Sequence, residues 1–137
     1  MITGENYINT VGRYFSFLVT EFGYSLPKIT ENGNAFYDME YISSKNIISI
    51  SYENIEDYLQ VIVFKLINGQ LPDYDDKTHT LHLSELNKLI TSKVDKEQIE
   101  KNAQWFKDYK YTDAFERKLL KSAKDLRLVL SHWNEFN

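Results

Sequence analysis

The apolar residues Ile8, Val11, Phe15, Leu18 and Phe22 recur at steps of three and four, the spacing that aligns side chains along one stripe of an α-helix. This predicts a helix over residues 5–22, stopped by Gly23, which takes the left-handed conformation of a helix end without steric cost. Residues 25–34 hold Pro27 and Gly33 among polar neighbours and read as a loop. The period then shortens to 2. Ala35, Tyr37, Met39 and Tyr41 alternate with Asp38 and Glu40, predicting a half-buried strand over 35–42. After a turn at 43–46, Ile48, Ile50 and Tyr52 face away from Ser49 and Ser51 in a second strand over 47–52. Residues 53–57 are few enough to join antiparallel neighbours. In residues 58–66 both faces are apolar, with Leu59, Val61 and Val63 on one and Ile62, Phe64 and Leu66 on the other. Such a strand is expected to be covered on both sides and central to its sheet. Asn68-Gly69 ends it.

Residues 70–78 are polar, acidic and irregular, and 80–83 read as a short extended piece. Ser84 is a suitable N-cap for a short helix ending near Ser92, with Leu86, Leu89 and Ile90 facing inward. Asp95 followed by Gln98 resembles a capping box and starts a helix through Ile99, Ala103, Phe106 and Tyr109; Asp113 followed by Glu116 repeats the device. The last helix presents Phe115, Leu119, Ala123, Leu126, Leu130 and Trp133 at helical spacing, with Arg117, Lys121 and Lys124 opposite. With no internal repeat or low-complexity linker, the reading is one α+β domain over 1–137: an antiparallel sheet of three or four strands packed by an N-terminal helix and C-terminal helices. Its core is expected to include Phe15, Leu18, Val61, Val63, Leu119 and Leu126.

Composition supports a folded chain. At 42% hydrophobic and 15% aromatic over 137 residues, there is enough apolar surface to offset the ordering entropy of one domain. The absence of cysteine removes disulfides, thiolate nucleophiles and sulfur-ligated zinc, and fits a reducing compartment. The N-terminus lacks a basic start followed by an apolar run, and no 18 apolar residues follow one another, so the chain is read as cytoplasmic, neither secreted nor membrane-spanning. Charge is uneven: residues 1–92 carry 6 Lys and Arg against 12 Asp and Glu, a net of −6, whereas 93–137 carry 10 against 8, a net of +2. The acidic part favours a basic partner and disfavours nucleic acid.

Candidate chemistry is sparse. His79 and His82 would share a helical face at a spacing of three, but 78–83 reads as extended, where they point to opposite faces, so no metal site is assigned. His132 is read as a surface histidine near a helix C-terminus. The run Asp73-Tyr74-Asp75-Asp76 has carboxylates that suit Ca²⁺, but counting from Asp73 the sixth position is Thr78 and the twelfth Ser84, where a calcium loop needs Gly and Glu. No phosphate-binding glycine loop, nucleophile elbow or zinc-protease motif occurs. No catalytic residue, metal or cofactor is assigned, and the protein is expected to work by contact. The informative feature is carboxylates clustered with tyrosines in two segments: Glu53, Glu56 and Asp57 between Tyr52 and Tyr58, and Asp73, Asp75 and Asp76 around Tyr74. Tyrosine gives contact area at low entropic cost, and the surrounding carboxylates would steer a basic protein. Tyr74 is the candidate anchor; Tyr52 and Tyr58 read equally well as core residues at strand ends.

The order Phe15-x-x-Leu18-x-x-Glu21-Phe22-Gly23-Tyr24, a loop, a meander with Tyr52-Glu53 after its second strand, and Leu83-x-x-Leu86 opening a helix resembles small uncharacterised bacterial proteins, some of which resemble immunity proteins of toxin systems. The similarity covers about residues 14–90 and carries no binding residue across. It implies a cytoplasmic inhibitor that occupies a cognate toxin's active site, and the acidic bias would suit a basic nuclease toxin. The alternatives are a small-molecule-binding or catalytic α+β domain, and a structural or oligomeric protein.

Overall fold

The structure, a computed structural model, describes residues 1–135. It falls into two compact units, Met1–His82 and Leu83–Asn137. In the first, helix α1 (Gly4–Tyr14) and the single turn α2 (Phe17–Thr20) precede an antiparallel sheet of β1 (Lys28–Asn32), β2 (Phe36–Ile42), β3 (Asn46–Glu53), β4 (Tyr58–Lys65) and β5 (Thr80–His82), ordered as in the chain. The second holds α3 (Leu83–Thr91), α4 (Lys96–Trp105) and α5 (Ala114–Ser131), then a 3-10 turn at Trp133–Glu135. The chain is therefore α+β with helices at both ends, and no helix of the described residues is long and apolar enough to cross a membrane.

Five strands replace the three or four expected: the short extended piece read at 80–83 is β5, and the additional strand is β1. Every residue of β1 is exposed. An edge strand without a buried face carries no period-2 apolar signal, and Pro27 and Gly33 disguised it as a loop. Gly33, at φ +55°, lies in the turn of its hairpin with β2. β3, not β4, is the middle strand. Val61, Ile62 and Val63 are nonetheless all buried, so β4 is covered on both faces there.

The predicted first helix is broken. Backbone N–H groups of Leu18 and Val19 bond three residues back, to Phe15 and Ser16. Phe15 and Phe17, which a continuous helix would set about 200° apart, are thereby both buried, with ring centroids 6.0 Å apart. Gly23 ends the segment at φ +74° as predicted.

One face of the sheet is the core face, where Tyr37, Met39, Tyr41, Ile48, Ile50, Tyr52, Val61 and Val63 are buried. Tyr7 of α1, fully buried, stacks on Tyr37 at 5.2 Å and lies 6.3 Å from Tyr52, its cross-strand neighbour. The Tyr7 hydroxyl donates to the carbonyl of Ile50 in the middle strand. Gly4 opens α1 beside the sheet, where a Cβ would meet the end of the exposed Glu31 side chain and touch the Tyr37 ring at 3.4 Å. Buried Asn54, in the turn after β3, closes this end. Its Nδ2 donates to the carbonyls of Ile2 and Asn34, each at 2.7 Å, its Oδ1 accepts from the Ile2 N–H at 3.0 Å, and its own N–H donates to Ala35. One side chain thus fastens the N-terminus and two hairpin turns.

In the second unit both predicted caps form: Asp95 accepts from the Gln98 N–H and Asp113 from the Glu116 N–H. The Glu116 carboxylate reaches back to Thr112. Phe115, Leu119, Ala123 and Leu126 are buried, as are Phe15, Leu18, Val61 and Val63 of the expected core. Three expectations fail. α3 begins at Leu83, so Ser84 is inside the helix and not its cap. Leu89 is exposed. α4 stops at Trp105, with Ile99 and Ala103 exposed and polar Asn102 its buried residue.

Val63 has no exposed surface, so Val63→Asp buries an unpaired charge at a cost of several kcal/mol, against a total stability of about 5–15 kcal/mol. Urea denaturation followed by circular dichroism should show no cooperative transition. Asn54→Ala, which strips partners from both peptide groups it joins, should lower stability by about 2–3 kcal/mol with the m-value unchanged. A loss below about 0.5 kcal/mol would remove Asn54 from that role.

Candidate functional site

The second face of the sheet carries the polar side chains. Strand register sets Thr30, Asp38, Ser51 and Gln60 in one row across it, and Lys28, Glu40, Ser49, Ile62 and His82 in the next. At its end lie Phe36, Glu53 and Tyr58. Ser49 donates to Asp38 Oδ1 at 2.6 Å. Burial raises the Asp38 carboxyl above its ordinary value, partly offset by hydrogen bonds from Ser49 and the Met39 amide. Glu40 is also raised, by burial and the charge of Asp38, against the opposing pull of Lys28. The face is thus a half-buried array of carboxylates, hydroxyls, an amide and an imidazole.

Tyr74 is 62% exposed yet held in place. Gln60 Nε2 donates to its hydroxyl at 3.0 Å, and its ring meets the His82 ring edge-on at 5.8 Å. Gln60 Nε2 also lies 3.4 Å from His82 Nδ1. The loop that delivers Tyr74 is shaped by its own contacts. Asn68 and Gly69 both take positive φ in a two-residue turn closed by mutual Ile67–Gln70 hydrogen bonds. Further on, Thr80 Oγ1 donates to the Asp73 carbonyl at 2.8 Å.

The carboxylates divide into presented and engaged. Glu53, Glu56, Asp73 and Asp75 are exposed. Asp57, also exposed and at φ +49°, accepts from the buried Tyr52 hydroxyl at 2.5 Å, so it holds the turn. Asp76 staples its loop: Oδ1 accepts from the N–H groups of Thr78 and His79, and Oδ2 lies 2.9 Å from His79 Nδ1. Burial raises the Asp76 carboxyl, but the His79 ring and the two amides outweigh it and hold the group below the usual carboxylate range. His79 therefore serves Asp76 and His82 serves Tyr74; among the described residues no three His, Asp or Glu side chains are grouped to hold a metal.

The two acidic segments lie towards opposite ends of β4. Glu53 pairs with Tyr58, and Thr80 with Phe64, six strand positions or roughly 20 Å away. The Tyr74 side chain reaches between them to Gln60. Tyr58 is 51% exposed and Ile55 78% exposed, so both join the presented surface, whereas Tyr52 is core. Tyr58, Gln60 and His82 were missed as site residues. Alternation along β4 sets Tyr58 and Gln60 on the face of Ile62, and that signal was present in the sequence.

Because ionisation of Asp38 is disfavoured by folding, its charged form costs stability that is absent below the unfolded carboxylate range and grows as pH rises through the raised folded value. Asp38→Asn keeps an acceptor for Ser49 without the charge. It should be more stable than wild type at pH 7, with the difference vanishing as pH falls below about 3.9; equal stability at both pH values in denaturant titrations would contradict the assignment.

Comparison of the chain with protein-family models, with curated proteins and with solved structures gives no match to any of the three.

Proposed function

We propose that this is a protein-binding domain that recognises a basic protein through the acidic surface of residues 1–82, with Tyr74 as contact anchor. The observation that carries the proposal is an exposed tyrosine fixed by Gln60 and His82 between exposed carboxylates. An aromatic already ordered in the free protein loses little entropy on binding, and so contributes more of its contact energy. Residues 1–82 hold 11 acidic against 5 basic side chains, a net of −6, and residues 83–137 hold 9 against 11, a net of +2. The charge asymmetry thus follows the structural units, giving the sheet-bearing unit a field that attracts cations. The partner class proposed is a basic toxin, with this chain as its cytoplasmic immunity-type inhibitor, in keeping with the resemblance of residues 14–90.

The test is kinetic. A partner recovered by pull-down from the native host is measured against wild type, Tyr74→Ala, and Asp73→Asn with Asp75→Asn, leaving the loop staple Asp76 intact. Tyr74→Ala should cost about 2 kcal/mol or more, some 30-fold in affinity, mainly through faster dissociation. The double Asn variant should slow association at low salt and converge on wild type near 0.5 M, where screening shortens to a few ångströms. Association independent of salt, together with unchanged affinity in both variants, would take this surface out of the interface.

A further inference from the structure

β1 ends the sheet on one side, and all five of its residues are exposed. Which of its backbone groups point outward follows from bonds further in. The Ser43 N–H donates to the Asn46 carbonyl and the Asn54 N–H to the Ala35 carbonyl, so the odd-numbered residues of β2 face β3. In an antiparallel ladder the bonding side alternates from one residue to the next. Phe36, Asp38 and Glu40 therefore turn towards β1, where they pair with Asn32, Thr30 and Lys28. Ile29 and Glu31 are left with N–H and C=O groups directed away from the sheet, and among the described residues nothing bonds to them. Natural edges of this kind are blunted by a bulge, a central charge or a covering segment. The β1–β2 register instead runs without a bulge from Lys28 to Asn32, and the residue at the centre of the strand is Thr30.

This strand is complementary to itself about a two-fold axis at Thr30. Run antiparallel to its own copy, it sets Thr30 opposite Thr30, Ile29 opposite Glu31 and Lys28 opposite Asn32, so no like charges face each other directly. The two pairs of Ile29 with Glu31 are the ones that hold the outward N–H and C=O groups, and each pair exchanges two hydrogen bonds. Other registers are poorer. An axis at Glu31 opposes two carboxylates, and an axis at Ile29 shortens the overlap and calls on Pro27, which has no N–H to give. With the axis at Thr30, Ile29, 45% exposed, meets its counterpart diagonally, within reach of a long side chain. Thr30 also ends the row Thr30, Asp38, Ser51, Gln60, so the polar faces of the two copies run on through the central threonines.

We infer that β1 is a self-association edge, on which a second copy of this chain pairs antiparallel and continues the sheet, with the Thr30 residues at the two-fold axis. The pairing uses neither Tyr74 nor the acidic loops, and stands or falls independently of the basic partner. Five residues a side fall short of the roughly 1,000 Å² of a stable interface, so the dimer is weak, half-formed at about 0.1 mM. A chain without cysteine allows a direct test. Opposed Thr30 residues form a non-hydrogen-bonded pair with Cα atoms about 4.5 Å apart, inside the span of a disulfide. Glu31 and its counterpart lie diagonally at roughly 8 Å, outside that span. Thr30→Cys and Glu31→Cys, both at exposed positions of β1, are oxidised with copper phenanthroline and followed on non-reducing gels. Thr30→Cys should form the covalent dimer about tenfold faster or more; equal rates, a faster Glu31→Cys, or no cross-link at Thr30→Cys overturns the proposal. Sedimentation equilibrium from about 10 µM to 1 mM should show wild type passing from monomer to dimer. Glu31→Pro removes an outward N–H from each copy without touching the ladder to β2, so it should keep the wild-type circular dichroism and raise the half-dimer concentration about tenfold or more. A wild type that stays monomeric throughout, or a folded Glu31→Pro that associates as wild type does, overturns the edge. Should Glu31→Pro unfold, the cysteine pair decides.

Discussion

The Tyr7 hydroxyl on the Ile50 carbonyl is the contact on which the sheet-bearing unit depends. A phenol buried this completely must find an acceptor or forfeit a hydrogen bond. The acceptor it finds belongs to the middle strand, so α1 is held at one position along β3. Burial and the nearby charge of Asp38 push the Tyr7 phenol well above its ordinary ionisation range, keeping it a donor. Stacking against the cross-strand pair Tyr37 and Tyr52 then sets the angle of the helix, and the polar tips of those rings are used in turn. Tyr37 donates to the Ile2 carbonyl at 2.9 Å and Tyr52 to Asp57. Three aromatic rings therefore bury apolar area while their hydroxyls fasten the N-terminus, the middle strand and the turn after it.

The opposite face of the sheet is the more polar one, although Ile62 of β4 is buried there. The core face is apolar and fully enclosed; the second face carries half-buried carboxylates whose ionisation is disfavoured. A division of labour appears among the acidic loop residues. Asp57 and Asp76 look like their neighbours in sequence, yet each is consumed by an internal hydrogen bond, and these bonds hold Glu56, Asp73 and Asp75 in exposed positions.

What the sequence alone determined is what periodicity can encode. β2, β3 and β4 each have one apolar face against the core, so alternation marked Tyr37, Met39, Ile48, Ile50 and Val63 as buried, and Asp38, Ser49 and Ser51 as facing the other way. The caps at Asp95 and Asp113 were equally legible, because capping depends on atoms three residues apart. The tertiary structure alone decided the rest. β1 lacks a buried face and is a strand only because β2 lends it hydrogen-bond partners. The break after Tyr14 exists because Phe15 and Phe17 must both reach a core that lies to one side. Tyr74 was legible as exposed, since no period claimed it, but its resting place on Gln60 and His82 depends on β5 returning beside β4. Arg127 and Trp105 are 22 positions apart in the chain, and only the packing of α4 on α5 through Asn102 makes them neighbours. Local patterns record which side of an element is dry; they do not record which distant residue arrives on the wet one.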